Sequence, residues 1–294
     1  MPASYLHQAV ARAVVGDNPL ALAGAEGPDP LFYCFHRYKN LISPFALGSY
    51  LHKARTGNLL ASLVFVASSS RPSERFDYAL GFLTHYATDT TFHPYVYAHS
   101  YTPGGKYSPN MHCTLEHALD TWLYREEGHA TGTPRHMAGI AALAPNDLAC
   151  IAFMFACAMF SIDQDKRLPP PEIEQAMKDS VLVTRLLHSP RGIKYAALGA
   201  LATPLGLRKT LHAHMVPTKL PQGDFLNEAH AAWESPFVPG ERRESVPDLL
   251  EAAKARASEF VAAARSYQKK EIDEDTLKGI LGNLRYDSAL PCSE

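Results

Sequence analysis

The chain is short of several features that would assign it to a large class at once. Its five cysteines, Cys34, Cys113, Cys150, Cys157 and Cys292, are odd in number and form no CxxC pair. This excludes a disulfide scaffold and an all-cysteine zinc site, and fits a reducing compartment. No apolar run reaches the roughly 20 residues needed to cross a bilayer. The longest candidate, Leu148 to Phe160, reads as a buried helix. The opening residues, Met1 to His7, show neither a basic stretch nor an apolar core of the kind a secretory signal needs, so a cytoplasmic location is expected. There is no long basic run, and net charge is −2, so no stable nucleic-acid complex is expected. Period-2 alternation is nearly absent, which leaves little material for strands. No His-Asp dipeptide occurs, which argues against an HD-type helical phosphohydrolase.

What is present is an apolar fraction of 46 % with 20 % charged residues over 294 positions, enough for a sizeable core. The periodicity predicts helices over 4–15, Phe45 to Ala67, 73–92, Met111 to Glu127, 147–162, 171–188, 192–202, 248–270 and 273–283. The proline-rich stretch 203–247 is expected to be an irregular connection or short helices around Phe225 to Trp233. The fold class is therefore all-α, a multi-helix bundle with a metal site between helices of its N-terminal half. Residues 1–165 are expected to form the functional core, and 166–294 a C-terminal helical extension packed on it as one domain.

Histidine is abundant, at 14 residues, and its placement is informative. His85 and Asp89 are four apart on the segment 73–92, and His112 and Glu116 are four apart on the next. Side chains at i and i+4 share a helix face, and a metal needs imidazole and carboxylate converging from one side. Pro94 is expected to end the helix near His93. His7 falls at the front of the first helix. Asp29, between Pro28 and Pro30, is expected on a stiff loop. His52 falls in the first half of the helix from Phe45, with His36 as an alternative imidazole before it. The candidate ligands are thus His7, Asp29, His52, His85, Asp89, His93, His112 and Glu116. All are nitrogen or oxygen donors, suited to catalytic zinc, and they are too many for one ion. Two ions are implied, or three if Asp89 bridges a pair. The other histidines show no comparable pattern; His212 and His214, two apart, fit a strand better than a helix.

In order along the chain, His7, Gly27-Pro28-Asp29, Gly48-x-x-x-His52, His85-x-x-x-Asp89, His93 and His112-x-x-x-Glu116 resemble the zinc-dependent phospholipase C family, related to the single-strand-specific zinc nucleases. The resemblance covers roughly residues 1–125. It implies an all-helical fold binding three zinc ions. Asp29, His52, His85 and Asp89 would hold one. Asp89 would bridge to a second, held also by His7. His93, His112 and Glu116 would hold the third. Asp29 would be the catalytic residue, the general base for the attacking water. Secreted members use their mature N-terminal residue, freed by signal cleavage, as a further ligand; here that ligand is expected to be missing, unless Met1 is trimmed and the Pro2 amine serves. The implied reaction is hydrolysis of a phosphodiester, with phospholipid as partner and transient contact with a membrane surface. A zinc nuclease-like phosphodiesterase, or a non-catalytic helical metal- or lipid-binding protein that kept the scaffold, is the competing expectation.

Overall fold

A computed structural model describes residues 4–34, 42–69, 73–129, 131–160, 162–163 and 168–292. The first half contributes helices α1 (Ser4–Val14), α2 (Pro19–Gly24), α3 (Pro44–Leu51), α4 (Thr56–Ser68), α5 (Phe76–Ala98) and α6 (Pro109–Glu126). The second contributes α7 (Ala138–Ala141), α8 (Pro145–Phe160), α9 (Pro170–Leu187), α10 (Ile193–Ala202), α11 (Arg208–Ala213), α12 (Val246–Gln268) and α13 (Glu274–Leu281). Strand structure among the described residues amounts to a two-residue antiparallel pair, Trp233–Glu234 with Glu241–Arg242, and two isolated bridges. The fold is all-α.

The central element is α5. Nearly every residue from Phe76 to Val96 is buried, because α1, α2, α4, α6 and α12 all pack against it. A helix enclosed on all sides has no polar face to give to water. Its Phe76, Leu80, Leu83 and Ala87 join the apolar core, and its other side carries His85 and Asp89. Gly81 lies where α2 crosses; a Cβ there would stand 2.0 Å from the Ala21 carbonyl oxygen. The apolar core runs from Tyr5 to Tyr286, so the C-terminal helices share it.

Three sequence expectations need correction. The helix expected from Phe45 to Ala67 is two helices, broken where Arg55 takes a left-handed conformation at φ 49°. His52 therefore sits at the C-terminal cap of α3 rather than inside a helix. The helix expected to stop near His93 runs on to Ala98 with Pro94 inside it. Burial of Tyr95 and Val96 compensates the hydrogen bond that proline cannot make. Asp29 is the first residue of a short 3-10 turn, Asp29–Tyr33, where the sequence predicts a stiff loop. In addition, His212 is on α11 and His214 just past its end, not on a strand.

The N-terminal helix is fixed by two buried carboxylates. Asp120 of α6, fully buried, accepts from the backbone N–H groups of Tyr5 at 3.2 Å and Leu6 at 2.8 Å. Glu26 accepts from Ser4 Oγ at 2.7 Å and Gln8 Nε2 at 2.6 Å. Burial raises the Glu26 carboxyl to about 7, against the opposing pull of those two donors. A carboxyl raised on folding stabilises most below its unfolded value, and that stabilisation is lost as pH rises through 7. A shift from 4.5 to about 7 corresponds to roughly 3 kcal/mol. Glu26→Gln, which cannot ionise, is therefore expected to raise the melting temperature relative to the parent at pH 8 and to change it little at pH 5. Thermal scans at the two pH values check this; an equal shift at both would contradict it.

Candidate metal centre

Five elements bring the eight candidate ligands together. Helix α1 presents His7, the 3-10 turn presents Asp29, and the cap of α3 presents His52. Helix α5 presents His85, Asp89 and His93 on three successive turns, and α6 presents His112 and Glu116. All eight are buried. Their donor atoms form three groups, each with every atom within 4.8 Å of the others: His7 with His85 and Asp89, Asp29 with His52 and His85, and His93 with His112 and Glu116. The extension of α5 through Pro94 matters here. It keeps His93 in helical register one turn beyond Asp89, so its Nε2 reaches Glu116 Oε1 at 3.3 Å.

Asp89 is the hub. Its Oδ1 lies 3.2 Å from His7 Nε2 and 3.8 Å from His93 Nδ1. Its Oδ2 lies 3.2 Å from His85 Nε2 and 4.0 Å from His52 Nε2. Asp29 Oδ1 is 3.0 Å from His52 Nε2, and Asp29 Oδ2 is 3.7 Å from His85 Nε2. At the far end His112 Nε2 is 3.1 Å from Glu116 Oε1.

The imidazoles are oriented by backbone carbonyls. His52 Nδ1 donates to Gly48 O at 2.7 Å, His85 Nδ1 to Ala25 O at 2.9 Å and His93 Nδ1 to Tyr286 O at 2.7 Å. Each bond turns Nε2 toward the cluster, the arrangement by which a protein presents histidine to a metal. Burial alone would neutralise the carboxylates. Instead Asp89 is held well below the usual range by His93, His85 and His7, and Glu116 by His112. The same carboxylates, Asp89 and Glu116, raise His93 to about 9 against its own burial.

The donor set fits a divalent metal on the structure's own terms. His85 Nε2 and Asp29 Oδ2 are buried and make no hydrogen bond. Groups left so cost roughly 1–3 kcal/mol each unless something else pairs with them. An all-nitrogen-and-oxygen set with imidazole predominant suits zinc.

A model of the zinc-dependent phospholipase C family matches residues 5–153, the stretch that carries all eight residues. The chain belongs to the zinc-dependent phospholipase C family. Its dependence on zinc follows from that membership. No curated protein and no solved structure matches the chain. The alternative imidazole His36 and the Pro2 amine both lie outside the described residues.

Sequence reasoning missed the contribution of the C-terminal segment to this centre. Tyr286 gives its carbonyl to His93, takes the His52 carbonyl through its own N–H at 2.9 Å, and packs its ring 5.0 Å from His52 and 5.6 Å from His85. Nothing in the local pattern around Tyr286 signals this, because the contact spans almost the whole chain. Lys53 and Asp287 were also unforeseen. Both line the cavity of about 150 Å³ that opens onto Asp29, Asp89 and His93. Asp120, one turn beyond Glu116 on α6, is the cap of α1 and lies 2.7 Å from His136 Nε2.

Gly27 is the one glycine that the centre requires. Its φ is +53°, and a Cβ there would stand 2.3 Å from His85 Cδ2. Gly27→Ala is expected to weaken zinc binding at least about tenfold, equivalent to ~1.4 kcal/mol, measured by competition with a chromogenic chelator. Gly105 has a comparable positive φ with nothing within 4 Å, so Gly105→Ala supplies the backbone strain without the clash. Equal zinc affinity in the two variants would contradict the account.

Proposed function

We propose that this protein is a zinc-dependent phosphodiester hydrolase of phospholipase C type, acting on phospholipids. The observation that carries the reading is the convergence of His7, Asp29, His52, His85, Asp89, His93, His112 and Glu116 on one buried centre that opens to a cavity. In this reading Asp29, His52, His85 and Asp89 would hold one zinc. Asp89 would also serve a second with His7, and His93, His112 and Glu116 would hold a third. When bound, zinc supplies a lowered pKa for water and positive charge to offset that of the phosphate.

The remaining roles belong to the chain. Asp29 is the catalytic base, because it stands among the imidazoles, with Oδ1 3.0 Å from His52 Nε2, and also lines the cavity. It takes the proton of the attacking water at the carboxylate oxygen that is not turned to zinc. Phe32 and Tyr97 flank the cavity and limit the water that can enter. Lys53, half-exposed and 3.9 Å from Asp287 Oδ2, stands at the mouth and attracts the substrate's anionic phosphate. Tyr286 holds His52 and His93 in register. The C-terminal helices are then part of the same functional unit as the family core, not an appendage to it.

The test is hydrolysis of phosphatidylcholine, bis-nitrophenyl phosphate and single-stranded nucleic acid by one zinc-loaded preparation. Release of the phosphorylated head group is expected, with weaker turnover of the small diester. Preferential cleavage of nucleic acid would favour the zinc-nuclease alternative, and no turnover of any of the three would favour a non-catalytic binding protein. His85→Ala and Asp89→Ala are each expected to reduce turnover at least about a thousandfold, ~4 kcal/mol of barrier, in protein that still folds by circular dichroism. Lys53→Ala is expected to raise KM severalfold with kcat nearly unchanged. Unaltered activity in either ligand variant would overturn the assignment.

A further inference from the structure

The segment from Ser180 to Gly223 contains Arg185, Arg191, Lys194, Arg208, Lys209 and Lys219 and no Asp or Glu, in a chain whose net charge is −2. Within it α10 and α11 fold into a hairpin. The Tyr195 and His212 rings stack at 3.8 Å, and His212 Nε2 donates to the Tyr195 carbonyl at 3.0 Å. The sequence of α10 is apolar all round apart from Lys194 and Tyr195. A helix of that composition is normally buried on every side. Here only Gly199 and Ala202 are buried. Ile193 is 70 % exposed, Leu201 and Leu205 72 % each, and Leu207 53 %. All of residues 203–210 are exposed. So many large apolar side chains exposed within fifteen residues mark a contact site.

Two observations select the occupant. A second copy of the chain meeting this face about a two-fold axis would set the basic segment against itself, which like-charge repulsion opposes. An anionic bilayer is complementary to it, since lysines and arginines are drawn to the surface potential while apolar side chains enter the acyl boundary. At the foot of the hairpin lies a cavity of about 870 Å³ bordered by Met111, Leu115 and Phe225 and by Arg208 and Lys209. Apolar walls with cations beside them fit an acyl chain and an anionic head group. The cavity also sits against α6, the helix that carries His112 and Glu116.

We propose that the α10–α11 hairpin is a membrane-docking element that inserts Ile193, Leu201, Leu205 and Leu207 into an anionic lipid surface, held there by Lys194, Arg208 and Lys209. The hairpin lies beyond the residues matched by the family model, and the inference goes beyond the hydrolase reading and does not depend on it. The α5–α6 metal centre and the α10–α11 docking face would then be adjoining parts of one interfacial protein.

The experiment is cosedimentation of the zinc-loaded protein with vesicles of phosphatidylcholine alone and of phosphatidylcholine mixed with phosphatidylglycerol, at low and high salt. Binding to the mixed vesicles, weak binding to the neutral ones, and loss of binding at high salt are expected. The double variants Leu201→Glu/Leu205→Glu and Arg208→Glu/Lys209→Glu are each expected to lose affinity at least about tenfold, with unchanged melting temperature. Turnover of dispersed bis-nitrophenyl phosphate separates the two readings. If the double variants keep parental turnover while losing vesicles, docking and chemistry are separate, as proposed. If the parent turns over the diester but does not sediment with anionic vesicles, the docking inference fails and the hydrolase reading stands. If the parent sediments but hydrolyses nothing, the reverse holds. Equal vesicle binding by parent and variants would overturn the proposal. So would a dimer in light scattering that Leu201→Glu/Leu205→Glu converts to monomer without any vesicle binding by the parent.

Discussion

Asp89 sits where imidazoles from His7, His52, His85 and His93 converge, at 4 % exposure. A carboxylate cannot be buried at that depth unless positive charge surrounds it. Most of the architecture serves this constraint. Helix α5 must be enclosed by its neighbours to hold Asp89 at that depth, which requires α1, α2, α4, α6 and α12 around it. Helix α1 must present His7 at one angle, so Asp120 caps it from α6 and Glu26 grips its first two turns. The chain must leave α3 at His52, so Arg55 takes a left-handed turn there. Gly27 must lack a side chain, because His85 fills the space. These features are local departures from ordinary helix rules, and each one aims a donor at the same centre.

The i, i+4 spacing made the two halves of the centre legible in sequence. His85 with Asp89, and His112 with Glu116, are facts about helix periodicity, and the structure has both on buried helix faces. The all-helical class was legible for the same reason. What could not be read was anything set by tertiary packing. Pro94 signals a helix end by its own stereochemistry, and only burial of Tyr95 and Val96 overrides it. The break at His52 depends on Arg55 reaching the Ile162 carbonyl, at 2.6 Å, a contact with a distant element. Tyr286 belongs to the centre through main-chain hydrogen bonds to residues some two hundred positions away, for which side-chain pattern carries no signal.

The family match ends at residue 153, but the molecule is not divided there. Helix α12 packs along α5, and the segment around Tyr286 orients two of the imidazoles. The remaining C-terminal helices differ in kind. Helices α8 and α9 bury one side in the core, whereas α10 and α11 bury almost nothing while carrying apolar and basic side chains. In the proposed reading, one part of the C-terminal half completes the centre and another, the exposed hairpin, meets a surface. Residues that close the centre are tied to the core, and those of the hairpin are left outside it.

The central claim is that the eight converging side chains hold more than one zinc ion. Native mass spectrometry of protein purified without chelator measures this directly, since it counts ions on the folded chain. Two to three zinc ions per chain are predicted, with the count reduced in Asp89→Ala by loss of the shared carboxylate. A parent chain carrying one zinc or none after zinc supplementation would contradict the account.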